Sequence, residues 1–278
     1  MALEIKNYPN PWPKVKKWEK VIHISDIHIY PLIRHAEYLE SWEKLLEQII
    51  GKYDDLSQIL LIITGDIFHS KNEVSPELYY LAYNMFRLLD DIGLSTLIIP
   101  GNHDANLANS SRIDSLTPLL EFFNDRNGTK SLYYMRDSGI MRTGDVVIGH
   151  LSVFDRREFK NNWPKVTDFG VTKEDKKRIF LYHGPVEKSV SPANFRLESD
   201  IKLNRFNGWD WVMLGDIHMR QILQNAIPSK RIPWVAYAGS WIQMNHGETL
   251  DGHGWLEWDL EDKEKEPIGY DINIDWAS

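Results

Sequence analysis

The sequence of 278 residues contains no cysteine. This absence excludes disulfide bonds, a thiol nucleophile and thiolate metal ligands, so any metal ion must be held by His, Asp, Glu or Asn. No apolar run approaches the roughly 18 residues that a membrane-spanning helix needs. Residues 1–20 are rich in Pro, Lys and Trp and lack the apolar core of a secretion signal. The sequence therefore predicts a cytoplasmic protein without a membrane span.

The sequence also has no excess of basic residues, and its formal net charge is −8. This balance argues against tight binding of nucleic acid by charge alone. The acids are unevenly distributed, however. Residues 251–278 carry nine Asp or Glu against two Lys, which leaves the first 250 residues at a net charge of −1. The composition is therefore compatible with a polyanionic substrate but does not indicate one.

Apolar runs rich in Ile and Val recur along the chain, and most of them end in a polar turn. Runs of this length and composition are typical of strands that are buried on both faces. They lie at residues 21–28, 59–66, 95–104, 145–153, 178–185, 209–218, 234–240 and 254–260. Amphipathic patterns predict helices at 38–50 and 76–91, the second with Ser75 as N-cap and Pro76 at its first position.

The order of these elements predicts the fold class. Strands alternate with helices in the first half of the chain, which predicts an α/β protein with parallel strands. In the second half the strands follow one another more directly, which favours a second, mixed sheet. Neither an internal repeat nor a low-complexity linker divides the chain, and the acidic end at 251–278 is the one strong shift in composition. We therefore expect a single domain over residues 1–278.

Five polar clusters stand at the ends of predicted strands. They are Asp26-Ile27-His28, Gly65-Asp66, Gly101-Asn102-His103-Asp104, His183 and Gly215-Asp216-Ile217-His218. Each cluster alone could be an ordinary turn, but ligands also bind at the carboxyl ends of strands in open α/β sheets. Asp, His and Asn side chains that converge there suit hard or borderline divalent metals. Two ions about 3.5–4 Å apart can clamp the attacking and leaving oxygens of a phosphoryl displacement, and Asp66 is the natural candidate to bridge them.

The series of clusters resembles the signature of the calcineurin-like metallophosphoesterases: D-x-H, G-D, G-N-H-[DE], a single His and G-H-x-H. The resemblance implies a four-layer αββα sandwich, in which two mixed β-sheets are flanked by helices. It also implies one metal held by Asp26, His28, Asp66 and His218, and a second held by Asp66, Asn102, His183 and Asp216. His103 would contact the scissile phosphate and protonate the leaving oxygen, while Asp104 orients the ring of His103.

The sequence departs from this signature at Asp216, where the family usually has His. Aspartate can still bind a divalent ion, and it would bring a third carboxylate to the two metals. We expect this change to favour Mn²⁺, or else Mg²⁺, over zinc. The alternative is that Asp216 turns away and leaves the second site weak.

Three longer segments, at residues 101–121, 212–223 and 234–248, resemble the SbcD-type nucleases of DNA double-strand-break repair. The similarity is greatest to the versions found in phages and large viruses. It implies a Mn²⁺-dependent 3′–5′ exonuclease and single-strand endonuclease that acts on DNA, forms a homodimer and works with an SbcC-type coiled-coil ATPase. Such chains usually continue into a capping domain and an ATPase-binding segment. We expect both to be missing or truncated here.

In dimers of that type, helices near the third cluster meet, here at 76–91 and 116–124. The first of these helices carries an apolar stripe that fits either a dimer contact or, more simply, the protein's own core. The stripe consists of Leu78, Leu81, Met85, Leu88 and Leu89. Two other functions also remain open: a phosphodiesterase or phosphatase for small substrates such as cyclic nucleotides, and a non-catalytic scaffold on the same fold.

Further residues could contact the substrate from outside the five clusters. The candidates are Arg112, His69 and Ser240, together with His246, the basic run at 173–178 and the N-terminal Trp12 and Trp18. Each has a simpler interpretation. His69 could start a helix, Ser240 could belong to a turn, and a basic run is usually a solvated face.

Overall fold

The computed structural model describes residues 3–31, 33–71, 73–109, 112–124, 131–245 and 248–272, which form thirteen β-strands and four α-helices. The strands are β1 (Lys6–Tyr8), β2 (Lys20–Ile24), β3 (Ile59–Ile63), β4 (Ser95–Ile98), β5 (Leu132–Tyr134), β6 (Gly139–Thr143), β7 (Val146–Leu151), β8 (Lys177–His183), β9 (Trp211–Gly215), β10 (Gln221–Gln224), β11 (Trp234–Tyr237), β12 (Gly254–Asp259) and β13 (Ile268–Asp271). The helices are α1 (His35–Lys52), α2 (Pro76–Asp91), α3 (Thr117–Asn124) and α4 (Arg156–Lys160). Within this described part of the chain, no helix has both the length and the apolar character that crossing a membrane would require.

The first sheet contains six strands in the spatial order β13-β12-β2-β3-β4-β5. Strands β2 to β5 are parallel, and helices α1, α2 and α3 occupy the three connections between them. This arrangement confirms the parallel strands predicted for the first half. The strand predicted at 254–260 corresponds to β12, which returns from the end of the chain to pair antiparallel with β2 instead of joining the second sheet. The carboxyl ends of β2, β3 and β4 therefore share one edge.

The second sheet contains seven strands in the order β1-β6-β7-β8-β9-β11-β10. Strands β7, β8, β9 and β11 are parallel, whereas β6 and β10 run antiparallel to their neighbours β7 and β11. The sheet is therefore mixed, as the sequence predicts. Strands β8 and β9 are adjacent, so their carboxyl ends lie side by side at one edge.

Side chains that alternate along the strands separate the layers of the fold. Between the sheets, Leu60 and Ile62 of β3 belong to the same buried cluster as Leu181 and Met213 of the second sheet. The outer face of the first sheet packs against α1, α2 and α3. On the second sheet the outer layer is thinner, and consists of α4 and aromatic side chains such as Phe206 from short 3₁₀ turns. The predicted sandwich of two mixed sheets flanked by helices is confirmed.

Helix α2 begins and ends where the sequence predicts. The Oγ atom of Ser75 accepts a hydrogen bond from the backbone N–H of Leu78 at 3.4 Å, and Pro76 is the first helical residue. The apolar stripe of this helix faces the protein's own core, with Leu88 partly buried beside it. Its fully buried members are Leu78, Leu81, Met85 and Leu89. These side chains are therefore not available for a dimer contact.

Candidate metal centre

Seven of the predicted side chains meet at the strand ends between the two sheets. They are Asp26 and His28 after β2, Asp66 after β3, Asn102 after β4, His183 at the end of β8, and Asp216 and His218 after β9. The ligand atoms of Asp26, His28 and His218 lie within 4.8 Å of one another. The same is true of Asp26, Asp66 and His183. The structure thus brings together two overlapping groups of candidate ligands.

The first group is centred on two imidazole nitrogens. The Nε2 atoms of His28 and His218 are 3.1 Å apart. Two nitrogens that bind one ion at about 2.1 Å stand about 3.0–3.4 Å apart for ligand angles of 90–109°. The Nε2 atom of His28 is also 3.5 Å from Oδ2 of Asp66 and 3.8 Å from Oδ1 of Asp26. The spacing and chemistry of this group fit a divalent metal.

The second group surrounds Nε2 of His183. This atom is 3.3 Å from Oδ2 of Asp66 and 2.9 Å from Oδ1 of Asn102. The carboxylate of Asp216 lies 3.9 Å from the same nitrogen, and the backbone N–H of Asp216 donates to the Asp26 carboxylate at 3.1 Å. Asp216 therefore faces the group and does not turn away from it. Asp66 contacts an imidazole of each group, as a bridging ligand must.

Four of the candidate ligand residues have an unusual backbone conformation. Asp26, His28, Asp66 and Asp216 have φ angles of 50°, 48°, 55° and 95°. Residues other than glycine rarely adopt positive φ, and such strain costs about 1–3 kcal/mol per residue and is concentrated at functional sites. Backbone hydrogen bonds between the strand ends hold this geometry, for example from His28 N–H to the Asp66 carbonyl at 2.9 Å.

Two glycines let the strand ends approach one another. A Cβ atom at Gly101 would lie 2.0 Å from Oδ1 of Asp66, and one at Gly215 would lie 2.6 Å from Nδ1 of His183. Both separations are shorter than any contact that two such atoms can make. The glycines that begin these two polar clusters are therefore required for the ligands to converge.

Hydrogen bonds behind the ligands fix the orientation of two imidazole rings. Nδ1 of His183 donates to the carbonyl oxygen of Thr64 at 2.6 Å, and Nδ1 of His218 pairs with Oε1 of Glu248 at 3.0 Å. Each bond directs the Nε2 atom of its ring toward the carboxylates. Metal-binding histidines usually have such a partner on the second nitrogen, where it also raises the basicity of the ligand.

The electrostatic environment is that of a cation site. Burial works against ionisation of Asp66, but the neighbouring His183 outweighs it and lowers the pKa of Asp66. Burial would also lower the pKa of His183, yet the Asp66 carboxylate raises it well above the usual value. The buried carboxylates thus favour positive charge at this position. A divalent ion would supply such a charge.

The ring of His103 lies beside the first group, 4.8 Å from the ring of His28 between centroids. Its Nδ1 atom donates to the carbonyl oxygen of His69 at 2.6 Å, and its backbone N–H donates to Oδ1 of Asp66 at 2.8 Å. His103 also lines a cavity of about 340 Å³ together with His69 and Lys71. Nε2 of His103 is therefore the nitrogen left to contact a substrate.

The expectation that Asp104 orients the ring of His103 is wrong. The Asp104 carboxylate is fully buried and accepts hydrogen bonds from the backbone N–H groups of Ile67, Phe68 and Gly101, at 3.0, 3.1 and 3.0 Å. Burial raises the pKa of Asp104 to about 7, although these three donors act in the opposite direction. Asp104 thus connects the loop after β4 to the loop after β3. The partner of the His103 ring is instead the carbonyl oxygen of His69.

His69 lies in the site and does not start a helix, since α2 begins only at Pro76. Its ring stacks on Tyr30 with centroids 3.8 Å apart. A nitrogen of His69 lies within 4.8 Å of ligand nitrogens of His28 and His103. The structure thus places His69 at the wall of the cavity beside His103.

Ser240 does not face a substrate cleft. Its side chain is fully buried, and its Oγ atom lies 3.0 Å from Nδ1 of His253 and 3.4 Å from the His218 carbonyl oxygen, to which it donates. Ser240 therefore supports the turn that carries His218. Arg112 is exposed, and its backbone N–H donates to the carbonyl of Asn109. His246 lies outside the described residues.

The basic run at 173–178 lies at the amino end of β8, whereas the candidate ligand His183 is at its carboxyl end. Lys177 forms ion pairs with Asp145 and Glu261, and the Arg178 guanidinium donates to backbone carbonyls. The run therefore lies away from the site, but only Lys173 and Lys176 form the solvated face that its sequence suggests, because Arg178 is buried. The two N-terminal tryptophans also serve packing, because Trp12 and Trp18 belong to the core between the sheets.

Glu248 is the residue at the site that sequence reasoning missed. It lies in the segment after β11, thirty residues beyond His218 in the chain. No local pattern marks a carboxylate that acts through a histidine brought close only by folding. The one available signal was its position at the end of segment 234–248, which resembles SbcD-type nucleases as a whole.

Comparison with known proteins places the chain in a family. The profile of the calcineurin-like phosphoesterases matches residues 19–220, so the chain belongs to that family. Membership of this family indicates a metal-dependent hydrolase, and the ligand groups described above fit that class.

Three related proteins differ in how much of their length the chain matches. Uncharacterized protein R555 of Acanthamoeba polyphaga mimivirus is 37% identical over 258 residues, which cover 89% of this chain and 18% of that protein. The SbcD subunit of the SbcCD nuclease of Staphylococcus saprophyticus is 21% identical over 260 residues, covering 85% of this chain and 64% of the relative. The protein of the same name from Staphylococcus epidermidis is 20% identical over 266 residues, covering 88% of this chain and 67% of the relative. The chain thus spans less than two thirds of the first two relatives.

A solved structure with a similar chain path is that of TT1561 from Thermus thermophilus. The TM-score is 0.49 and the sequence identity 12%, over 91% of this chain and 99% of the other.

Proposed function

We propose that the chain is a two-metal phosphodiesterase that cuts DNA, as a 3′–5′ exonuclease and single-strand endonuclease in the processing and repair of DNA ends. The observation that carries the proposal is the position of Asp66, whose Oδ2 atom lies 3.5 Å from His28 Nε2 and 3.3 Å from His183 Nε2. One carboxylate between two groups of nitrogen and oxygen ligands is the arrangement that a pair of divalent ions needs. The distant similarity to two SbcCD nuclease subunits supports DNA as the substrate.

Mn²⁺ is the preferred ion in this proposal, with Mg²⁺ as the alternative. Carboxylate and amide oxygens suit these hard ions, and Asp26, Asp66 and Asp216 would offer three carboxylates. Bound divalent ions would supply Lewis-acid chemistry that draws negative charge from the phosphate.

His103 is the proton donor to the leaving 3′ oxygen. As an imidazolium, His103 donates its Nδ1–H to the His69 carbonyl, so the proton on Nε2 points to the open cavity. The ring of His69, held against Tyr30, is placed to contact the phosphate from the same side. These residues would fix the orientation of the phosphate and the direction of proton transfer.

The experiment that tests the proposal incubates the protein with end-labelled single- and double-stranded DNA in the presence of Mn²⁺, Mg²⁺ or EDTA. Degradation that requires Mn²⁺ and disappears in Asp66→Asn is the expected result. Asp262→Asn, which removes an exposed carboxylate between β12 and β13, is the matched control and should cut like the wild type. Intact DNA alongside cleavage of a cyclic nucleotide would instead assign the chain to small phosphodiesters.

The protein assembles as a homodimer in this proposal and works with an SbcC-type ATPase. Tyr80 of α2 and Phe122 of α3 are 69% and 66% exposed, and they offer apolar surface for the dimer contact now that the stripe of α2 is assigned to the core. Sedimentation of Tyr80→Ser together with Phe122→Ser should show a monomer where the wild type is a dimer. Co-purification with an SbcC-type ATPase from the same source tests the second partner.

A further inference from the structure

A groove of about 370 Å³ lies between helix α4 and the loop that follows the third polar cluster. Leu107 belongs to the loop side, and Phe154 with three basic side chains belongs to the other. The basic side chains are those of Arg156, Arg157 and Lys160. No residue of this groove belongs to the metal-ligand set, and its three basic residues were not among the candidates that the sequence analysis selected.

The groove carries an uncompensated positive charge. Its one acid is Glu158, against three basic residues. Arg156 and Arg157 are both exposed, and within the described ranges neither guanidinium forms an ion pair or a hydrogen bond. Lys160 is 3.9 Å from the carboxylate of Asp200, but both side chains are more than half exposed, so solvent screens this pair. Because no partner among the described residues holds either guanidinium group, both are available to a ligand.

Both walls of the groove adjoin chain segments that carry residues of the metal centre. Leu107 follows His103 by four residues in the same loop. Helix α4 comes after β7, which pairs with β8, and β8 ends at the ligand His183. A ring contact also joins this helix to that strand, because Phe159 of α4 packs against Tyr182, which precedes His183, with ring centroids 6.1 Å apart.

We propose that this groove binds the phosphate backbone of a nucleic-acid strand as the strand leads to the metal centre. Arg156 and Arg157 would each hold a backbone phosphate, and Phe154 and Leu107 would provide apolar surface for sugars and bases. The local charge accounts for how a chain of net charge −8 can bind a polyanion. This inference rests on the proposed function, because it concerns the substrate of the same site.

The test measures binding of a fluorescein-labelled oligothymidylate by fluorescence anisotropy in EDTA, where a metal-dependent enzyme cannot cut it. On a single strand, each phosphate contact contributes about 0.7 to the slope of log K against log salt concentration. The slope is negative, and the double variant Arg156→Gln with Arg157→Gln should therefore reduce its magnitude by about 1.4. At 0.1 M salt this corresponds to binding that is about 25-fold weaker, taking 1 M salt as reference.

Two further variants separate the groove from general charge and from damage to the fold. Lys173→Gln with Lys176→Gln removes the same charge from exposed residues beside the amino end of β8, about 20 Å along the strand from His183. This control should bind like the wild type. Arg156→Lys with Arg157→Lys keeps the charge and should restore most of the binding.

Equal binding by wild type and the Gln pair at 156 and 157, or an equal loss in the control, would overturn the inference. Because the assay needs no cleavage, its outcome is separate from that of the proposed function. A chain that binds through the groove but cuts no DNA would refute the nuclease and keep the groove. If the protein cuts DNA but binds it equally well without the two arginines, the nuclease is supported and the groove is refuted.

Discussion

Removal of the Glu248 carboxylate should weaken metal binding although Glu248 is not a metal ligand. Its Oε1 atom lies 3.0 Å from Nδ1 of His218 and also accepts from Asn245 at 2.9 Å, and its Oε2 atom accepts from the backbone of Met244 at 2.8 Å. Burial works against ionisation of Glu248, but the bond from His218 outweighs it and lowers the pKa of Glu248. The charged carboxylate thus fixes both the orientation and the basicity of the His218 ring.

Loss of such an outer partner typically costs 10–100-fold in metal affinity, or about 1.4–2.7 kcal/mol. Isothermal titration of Mn²⁺ into Glu248→Ala should show this loss at the site that includes His218. Glu248→Gln keeps an oxygen that accepts from Nδ1 and should lose less than Glu248→Ala. Glu257→Ala is the matched control, because Glu257 is equally buried but pairs with Lys52 and Tyr53, away from the metal centre.

The reasoning would be refuted if Glu248→Ala bound Mn²⁺ as tightly as the wild type while remaining folded. An equal loss in Glu257→Ala would be just as damaging, since it would attribute the effect to stability. The affinity of Glu248→Gln carries separate information. If it matched that of Glu248→Ala, charge and not hydrogen bonding would be the main contribution of the residue.

Three other substitutions give distinct results. His103→Ala should keep Mn²⁺ affinity but lose about 10²–10⁴-fold in turnover of DNA, and a parallel loss in titrations of Mn²⁺ would show a structural role instead. Asp104→Asn should lower the free energy of unfolding of the metal-free protein by about 2–4 kcal/mol in denaturant titrations, because an NH2 group that cannot accept replaces one of the two oxygens that accept from three buried N–H groups. Unchanged stability would contradict the assignment of Asp104 as an anchor between loops. Asp216→His should shift the ratio of Mn²⁺ to Zn²⁺ affinity towards zinc in competition titrations, since an imidazole is a softer ligand than a carboxylate, and an unchanged ratio would count against a role for Asp216 in metal choice.

The strands and the positions of the ligands could be predicted because their signals are local. A continuous run such as 59–63 is apolar at every position, and the Gly-Asp that follows marks its end at the edge of the sheet. The same holds for helix α2, whose N-cap and first residue are adjacent in sequence. The structure adds the geometry of these residues, namely their positive φ angles and the close approaches at glycine. It does not change which residues are involved.

The partners of Asp104 and Glu248 could not be predicted, because they are set by contacts between distant parts of the chain. Asp104 lies next to His103 in sequence, which favours a role at its ring, but the carboxylate faces the backbone of residues 67 and 68 across the loop. Pairing of β12 with β2 is non-local for the same reason. The basic groove was equally hidden, since Arg156 and Leu107 come together only when α4 packs beside the loop after β4.

The most direct test of the two-metal centre is a crystal of the protein soaked in Mn²⁺ and measured at a wavelength where manganese scatters anomalously. The account predicts two anomalous peaks about 3.5–4 Å apart, one on each side of the Asp66 carboxylate. His28 and His218 should contact the first peak, and His183 and Asp216 the second. A single peak, or two peaks that Asp66 does not separate, would contradict it.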